Sequence, residues 1–215
     1  MSFLDNFDSD LEELNVVNYC NDEILLDFKK FAQLKNLFCS GTKVQTMTNI
    51  SNTLTQLYCR NNKIVELDCV TDCDNLFVID CAYNKITRLD NLPKDLRYLS
   101  CESNELTSLE NLPSGIERLN CSINQITNLD HLPNSLIMLK AISNKYKDLM
   151  NLPNGLEELQ SDVTLSLENL NSLPVSLKTL KIKYRGNRSG DNSSHDIVQE
   201  YCKKNNILFI SSFYF

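Results

Sequence analysis

Cysteine and histidine are the side chains of this sequence that could act as nucleophiles, bases or metal ligands. The chain of 215 residues has nine cysteines, but its only histidines are His131 and His195. A cysteine nucleophile needs an adjacent base. His131 falls in a predicted turn and His195 beside a predicted terminal helix, so neither is placed to be that base. The chain has only five glycines, and no Gly-rich phosphate-binding loop is seen. We therefore expect no enzyme activity and no cofactor.

Four cysteines could still form a zinc site, because zinc is commonly held by four thiolates. They are Cys59, Cys69, Cys73 and Cys81, and the inner two are separated by three residues. Cys59 and Cys81, however, occupy one position of a repeating pattern, which directs both side chains into a core. Cys69 and Cys73 fall on the opposite side of the chain path. Tetrahedral convergence is therefore disfavoured, and we expect no metal.

That repeating pattern determines the architecture. The stretch LRYLSCESNELTSLENLP, residues 96–113, is repeated as IERLNCSINQITNLDHLP at residues 116–133. The prolines that close the units, Pro93, Pro113, Pro133 and Pro153, follow one another at intervals of 20 residues. A fixed period of this size indicates a solenoid in which each unit stacks on the next. The alternating apolar residues of each unit predict one short strand per coil.

The template L-x-x-L-x-C-x-x-N-x-I/L-x-x-L-x-N-L-P resembles the leucine-rich repeat, with Cys in place of the third Leu. Its length and its closing L-P pair are similar to the short repeats of bacterial effector proteins. Its Cys and Asn usage is similar to leucine-rich proteins of giant DNA viruses and their amoebal hosts. The resemblance implies an α/β-type repeat solenoid that is mostly β. Its curved parallel sheet would form the concave face, its convex side would be extended or 3₁₀, and both terminal caps would be helical.

Two columns of identical side chains are expected to build the scaffold. Buried free cysteine behaves as a small apolar side chain, and one such column is Cys39, Cys59, Cys81, Cys101 and Cys121. A disulfide framework is the alternative, but such frameworks belong mainly to small secreted domains. The second column is Asn62, Asn84, Asn104, Asn124 and Asn144. An amide can satisfy backbone groups inside a turn, although the same residues could instead form a polar binding surface.

Function is expected on the concave face, where strand residues that alternate with the core point outward and vary between units. The predicted binding residues are Phe38, Tyr58, Arg60, Val78, Asp80, Tyr98, Glu102, Arg118, Met138, Lys140 and Ile142. Aromatic side chains surrounded by charges are typical of protein interfaces, and Met138 and Ile142 would form a second apolar spot. The alternative is that these are ordinary exposed apolar residues without a function.

Segments outside the template are expected to close the ends of the array. Residues 1–33 are predicted to be an N-terminal cap, with a helix that contains Ile24, Leu25, Phe28 and Phe31. Residues 34–183 would hold about eight repeats. Residues 184–215 would form a C-terminal cap of a loop, a helix that starts at Ser194 or Asp196 and ends near Lys204, and a terminal strand with the sequence ILFISSFYF. That apolar strand should be docked on the array or form a dimer contact.

Charge and composition narrow the choice of partner. The net charge of −7 opposes binding to nucleic acid or to an anionic membrane, which both require clustered basic residues. The acidic start of the chain lacks the features of a signal peptide, so we expect a cytoplasmic protein, in the host cytoplasm if it is viral. The leading hypothesis is a module that binds a partner protein. The alternatives are the substrate-recognition subunit of a ubiquitin-ligase-type assembly and a self-assembling structural protein.

Overall fold

A computed structural model describes residues 2–17, 24–163, 165–185 and 193–214 of the chain. Ten strands form one parallel sheet in the order β1-β3-β5-β6-β7-β8-β9-β10-β11-β12, and β2 and β4 form a second, two-stranded parallel sheet. The strands are β1 (Glu13–Asn15), β2 (Leu25–Asp27), β3 (Asn36–Phe38), β4 (Thr46–Thr48), β5 (Gln56–Tyr58), β6 (Val78–Asp80), β7 (Tyr98–Ser100), β8 (Arg118–Asn120), β9 (Met138–Lys140), β10 (Glu158–Ser161), β11 (Thr179–Arg185) and β12 (Leu208–Tyr214). The predicted solenoid is confirmed.

Helices are few and short among the described residues. They are 3₁₀ helices at Phe3–Asn6 and Asp68–Val70 and α-helices α1 (Leu167–Asn171) and α2 (Ser193–Lys204). The convex side is otherwise extended, as predicted. Helix α1 is the exception there, and it lies in the coil between Leu156 and Leu177, where the repeat interval is 21 residues and not 20. None of the described helices is both long enough and apolar enough to cross a membrane.

Leucine and isoleucine side chains stack in register from coil to coil. Leu99, for example, pairs with Ile79 on one side and Leu119 on the other, and all three are at most 1% exposed. One continuous core cluster runs from Leu4 to Cys202. A single coil could not bury its apolar side, so the stacking of neighbouring coils supplies the core. The outward side chains of the strands are consequently held in a fixed array.

The N-terminal segment differs from the predicted helix. Strand β2 includes Leu25, and it pairs in parallel with β4. The burial of Leu26 between the exposed Leu25 and Asp27 has the period of a strand. Phe28 and Phe31 close a tight turn, in which the Phe31 N–H donates to the Phe28 carbonyl oxygen at 2.9 Å. Three-residue spacing of apolar side chains occurs in such a turn as well as in a helix, and for this reason the predicted helix was wrong. The proposed N-cap at residues 21–23 lies outside the described residues.

The C-terminal cap contains the predicted helix and strand. Helix α2 buries Val198 and Cys202, and β12 pairs in parallel with β11 along seven residue pairs. The apolar terminal strand thus pairs with the last strand of the array, which is one of the two arrangements expected for it. Most of the predicted loop between β11 and α2 lies outside the described residues.

A row of linked turns, which the sequence analysis missed, runs along the convex side. The residue before each L-P pair has a left-handed backbone; these residues are Asn91, Asn111, His131 and Asn151, with φ between 59° and 65°. Asparagine adopts this conformation more easily than most residues. The Asn111 amide donates to Asp90 and the Asn151 amide to Asp130, each at 2.9 Å. The convex turns are thus also linked between coils.

Candidate functional site on the concave face

The column asparagines hold the backbone where it leaves each strand. In the central coil, the Asn104 amide nitrogen donates to the carbonyl oxygens of Cys81 and Cys101, both at 3.1 Å. Its amide oxygen accepts the N–H of Ile86 at 2.9 Å. Two of these three bonds reach the preceding coil. Asn104 is only 8% exposed, so its amide is used within the scaffold and does not form a binding surface.

The same bonds recur along the whole column. The equivalent amides of Asn62, Asn84, Asn124 and Asn144 each donate to carbonyl oxygens of their own and the preceding coil, and each accepts one N–H from the preceding coil. Thr42 takes the place of Asn in an early coil. Its hydroxyl donates to the Cys39 carbonyl oxygen at 2.9 Å and lies 3.0 Å from the Asn62 amide oxygen. A hydroxyl therefore replaces part of the amide's function.

The cysteine column lies inside the core. Its five members, Cys39, Cys59, Cys81, Cys101 and Cys121, are fully buried, and the eight described cysteines are all free thiols. Burial raises the pKa of Cys39 and Cys121 to about 12. Within the described residues, no three His, Cys, Asp or Glu side chains are grouped so that they could hold a metal ion. The column has the properties of apolar filling and not those of a reactive or metal-binding centre.

Aromatic side chains form the N-terminal part of the concave face. The rings of Phe38 and Tyr58 stack with centroids 4.9 Å apart and planes 4° from parallel. Both are half-buried, and Tyr98 is 36% exposed. Tyr98 belongs to the other outward row of the sheet, in register with Val78. Burial and the neighbouring Asp80 raise the pKa of the Tyr98 hydroxyl. Together these four side chains form one surface, which we call the aromatic patch: Phe38, Tyr58, Val78 and Tyr98.

An ion pair borders this patch. The Arg60 guanidinium donates to an Asp80 carboxylate oxygen at 2.9 Å and lies 5.4 Å from the centre of the Tyr83 ring. The hydrogen bond with Asp80 raises the pKa of Arg60 further above its already high ordinary value. Asp80 itself is only 8% exposed. Its predicted place on the open surface was therefore wrong; it is positioned to orient Arg60.

The predicted second apolar spot does not form as expected. Met138 is partly exposed, but Ile142 is only 7% exposed. Ile142 follows its strand by two residues, where the chain has begun to turn toward the core. Ala82 and Ser122, at the same position of other repeats, are buried as well. Ile142 is thus nearly buried and forms no open apolar spot with Met138, but it is one of the residues that line the hollow described next.

A hollow of about 240 Å³ lies in the C-terminal part of the concave face. We call it the lysine hollow. It is lined by Glu102, Asn120, Ile123, Lys140, Lys183 and neighbouring residues. Sequence analysis named Glu102, Lys140 and Ile142 as binding residues but missed their grouping and missed Ile123. Arg118, also predicted as a binding residue, is exposed on β8 beside Met138.

Solved structures of other proteins share this fold. The leucine-rich effector YopM from Yersinia pestis matches with 27% identity and a TM-score of 0.63 over 71% of this chain and 43% of its own. Internalin C2 from Listeria monocytogenes matches with 18% identity and a TM-score of 0.63 over 94% of this chain and 80% of its own. A Shigella effector LRR domain matches with 20% identity and a TM-score of 0.55 over 94% of this chain and 81% of its own.

These likenesses establish the leucine-rich repeat fold that the sequence predicts. The chain spans less than half the length of the YopM chain. No protein-family model matches the sequence, and no curated protein matches it.

The buried thiols predict a specific loss of stability in alkali. Their pKa rises on folding from an ordinary value of 9.0 to about 12 for Cys39 and Cys121. The stabilisation from keeping them neutral is complete below pH 9 and is lost as the pH rises through 12. We expect urea unfolding between about pH 7 and pH 10.5 to give a free energy that falls above pH 9.

The matched control for this titration is Cys121→Ala, because Ala141 fills the equivalent place in the next coil. Its free energy of unfolding should fall less steeply with pH than that of the wild type. A pH-independent free energy in the wild type would contradict the assignment of the column as buried thiols.

Proposed function

From the leucine-rich repeat fold, we propose that the chain is a non-catalytic module that binds a partner protein across its concave face. The solenoid keeps its outward side chains in register while their chemical types change from coil to coil. Similarity to leucine-rich effectors and an internalin supports an interaction module. The partner would contact residues on several strands at once, because a short strand offers only two outward side chains.

The aromatic patch is the observation that carries this proposal. Stacked rings offer a large rigid apolar area, and partly exposed aromatic side chains surrounded by charges are typical centres of protein interfaces. The Arg60–Asp80 pair supplies such a charged border at 2.9 Å. Stacking also restrains the two rings before a partner arrives, which reduces the entropy lost on binding. We propose Phe38, Tyr58 and Tyr98 as the main contacts.

The thiols support a reducing compartment as the place of action. All eight described cysteines are free, and disulfides are rare in the cytosol and common outside it. We therefore propose that the protein functions in a cytoplasm.

Truncation of the three aromatic side chains of the patch should strongly reduce partner capture. We expect Phe38→Ala/Tyr58→Ala/Tyr98→Ala to reduce the recovery of bound proteins from a lysate of the native cell at least about tenfold, as loss of interface centres does. Recovery is measured by quantitative mass spectrometry on immobilised full-length protein. The control is Val65→Ala/Met150→Ala, which removes side chains that are 49% and 42% exposed outside the strands. Equal recovery by all three proteins would refute the proposed contact surface.

A second candidate function, self-assembly, is favoured by strand β12. This strand ends the ten-stranded sheet. The Leu208 N–H donates inward to the Lys178 carbonyl oxygen at 2.8 Å, so the backbone groups of Phe209 and Ser211 point to the open side. Leu208 and Ile210 are 60% and 44% exposed. The strand LFISSFY has no charge and no proline, the usual protections of a sheet edge.

Self-assembly through β12 would give a dimer with antiparallel edge strands. We expect full-length protein to sediment as a dimer at micromolar concentration and Ile210→Lys to sediment as a monomer, because a charged side chain on an edge strand opposes edge pairing. The control Ile137→Lys changes an isoleucine that is 40% exposed within the array and should leave the dimer intact. A wild-type protein that is monomeric throughout would exclude this function.

A further inference from the structure

The backbone of Ile123 has a conformation that is unfavourable for a β-branched side chain. Its φ is 55°, in the left-handed region where a β-branched residue is a clear outlier. The same position in other repeats is occupied by Gly41, Asn61, Tyr83, Ser103 and Ser143, all with positive φ. The scaffold imposes this geometry, because the Ile123 N–H donates to the Ile142 carbonyl oxygen at 2.7 Å and Ser103 makes the equivalent bond. Isoleucine is therefore not the residue that stability favours here.

The Ile123 side chain also gains little from burial. It is 47% exposed and forms part of the rim of the lysine hollow. Backbone strain of this kind is found preferentially at functional sites, where the surrounding structure holds the residue in place. Strain, exposure and position at a hollow are three separate properties of one residue, and together they favour a role in binding.

The negative and positive side chains that line the hollow lie on opposite sides of it. Glu102 lies toward the N-terminal side, and its carboxylate accepts the amide of Asn120 at 2.9 Å. Lys140, on β9, and Lys183, on β11, lie toward the C-terminal side. Lys140 makes no ion pair with any residue in the described ranges. An anionic group would therefore be attracted to the side near Lys140 and repelled by Glu102.

The hollow has room for such a group. Its volume of about 240 Å³ is far above the 10–15 Å³ or so that a single water molecule requires. Ser122 and Gln160 add hydroxyl and amide groups to the lining. An acidic side chain could therefore enter with hydrogen-bond donors around it, and a residue beside it in sequence would face Ile123.

We propose that the lysine hollow receives an aspartate or glutamate side chain of the partner protein, and that Ile123 packs against an apolar residue next to it. This inference rests on the proposed function and specifies the chemistry of the partner. Tyr58 and Lys140 lie in one outward row, four strands apart, or about 19 Å at the usual strand separation. A partner segment that crosses the strands would thus carry its acidic residue about six residues from the group that contacts the aromatic patch.

The probe for this proposal is a phage-displayed library of random dodecapeptides, panned in parallel on full-length wild type and Lys140→Glu. We expect peptides with an acidic residue beside an aliphatic one to be enriched on the wild type, and their recovery on Lys140→Glu to fall about tenfold or more. Equal recovery from the two proteins, including no enrichment on either, would overturn the proposal.

Panning on Phe38→Ala/Tyr58→Ala/Tyr98→Ala separates the two claims. Peptides that lose binding there but keep it on Lys140→Glu would overturn the hollow and leave the proposed function standing. Peptides lost on Lys140→Glu but retained on the aromatic triple variant would support the hollow and contradict the aromatic patch.

Ile123→Asn gives a readout that a purely structural residue would not produce. Asn61 occupies the equivalent position, so relief of strain should raise Tm by about 2–4 °C, while binding of an enriched peptide falls at least about fivefold. The control Ser103→Asn changes a residue with φ of 54° outside the hollow lining and should leave binding unchanged. Peptide affinity for Ile123→Asn within twofold of wild type would contradict the role of Ile123.

Discussion

The hydrogen bonds between each column asparagine and the preceding coil are the constraint on which the rest of the structure depends. A coil of about 20 residues must turn sharply after its strand, and the turn leaves backbone carbonyl and N–H groups in a buried place. Leaving such groups without partners costs roughly 1–3 kcal/mol each. The amide of Asn104 satisfies three of them, two on the previous coil. The same hydrogen bonds therefore stabilise both the turn and the stacking of neighbouring coils, and apolar side chains fill the space between the coils.

The same constraint explains how the concave face can vary. Once the asparagine fixes the turn, the outward side chains of most strands can differ between coils without changing the scaffold. The N-terminal strands use this freedom for aromatic rings, with Phe38 stacked on Tyr58 at 4.9 Å. The C-terminal strands use it for Lys140 and Lys181. Ile123 shows the limit of that freedom, because the scaffold keeps its backbone left-handed at 55° whatever residue is present.

Sequence reasoning reached the repeat, the strand in each coil, the inward cysteines and the C-terminal helix, because each depends on a local pattern that recurs. It failed where one sequence pattern is compatible with two structures. Phe28 and Phe31 fit a helix as well as a turn, and Ile142 was expected to form an open apolar spot with Met138 although its side chain is nearly buried. It also could not predict contacts between side chains of different coils. Tyr146 and Ser161 both depart from the template, and their hydroxyl oxygens lie 2.9 Å apart. The lysine hollow is of this second kind, since Glu102, Lys140 and Lys183 come from three coils.

Hydrogen exchange at the Ile86 amide tests the central claim most directly, because this N–H donates to Asn104 at 2.9 Å across the coil boundary. In Asn104→Ala, protection of that amide should fall by roughly 1–3 kcal/mol. The Val16 amide, bonded to Phe38 at 2.8 Å in the first coils, should change less, as nearest-neighbour coupling requires. The control Asn128→Ala, which shortens an exposed side chain on the convex side, should leave the protection of both amides unchanged. Equal protection of the Ile86 amide in Asn104→Ala and wild type would contradict the account.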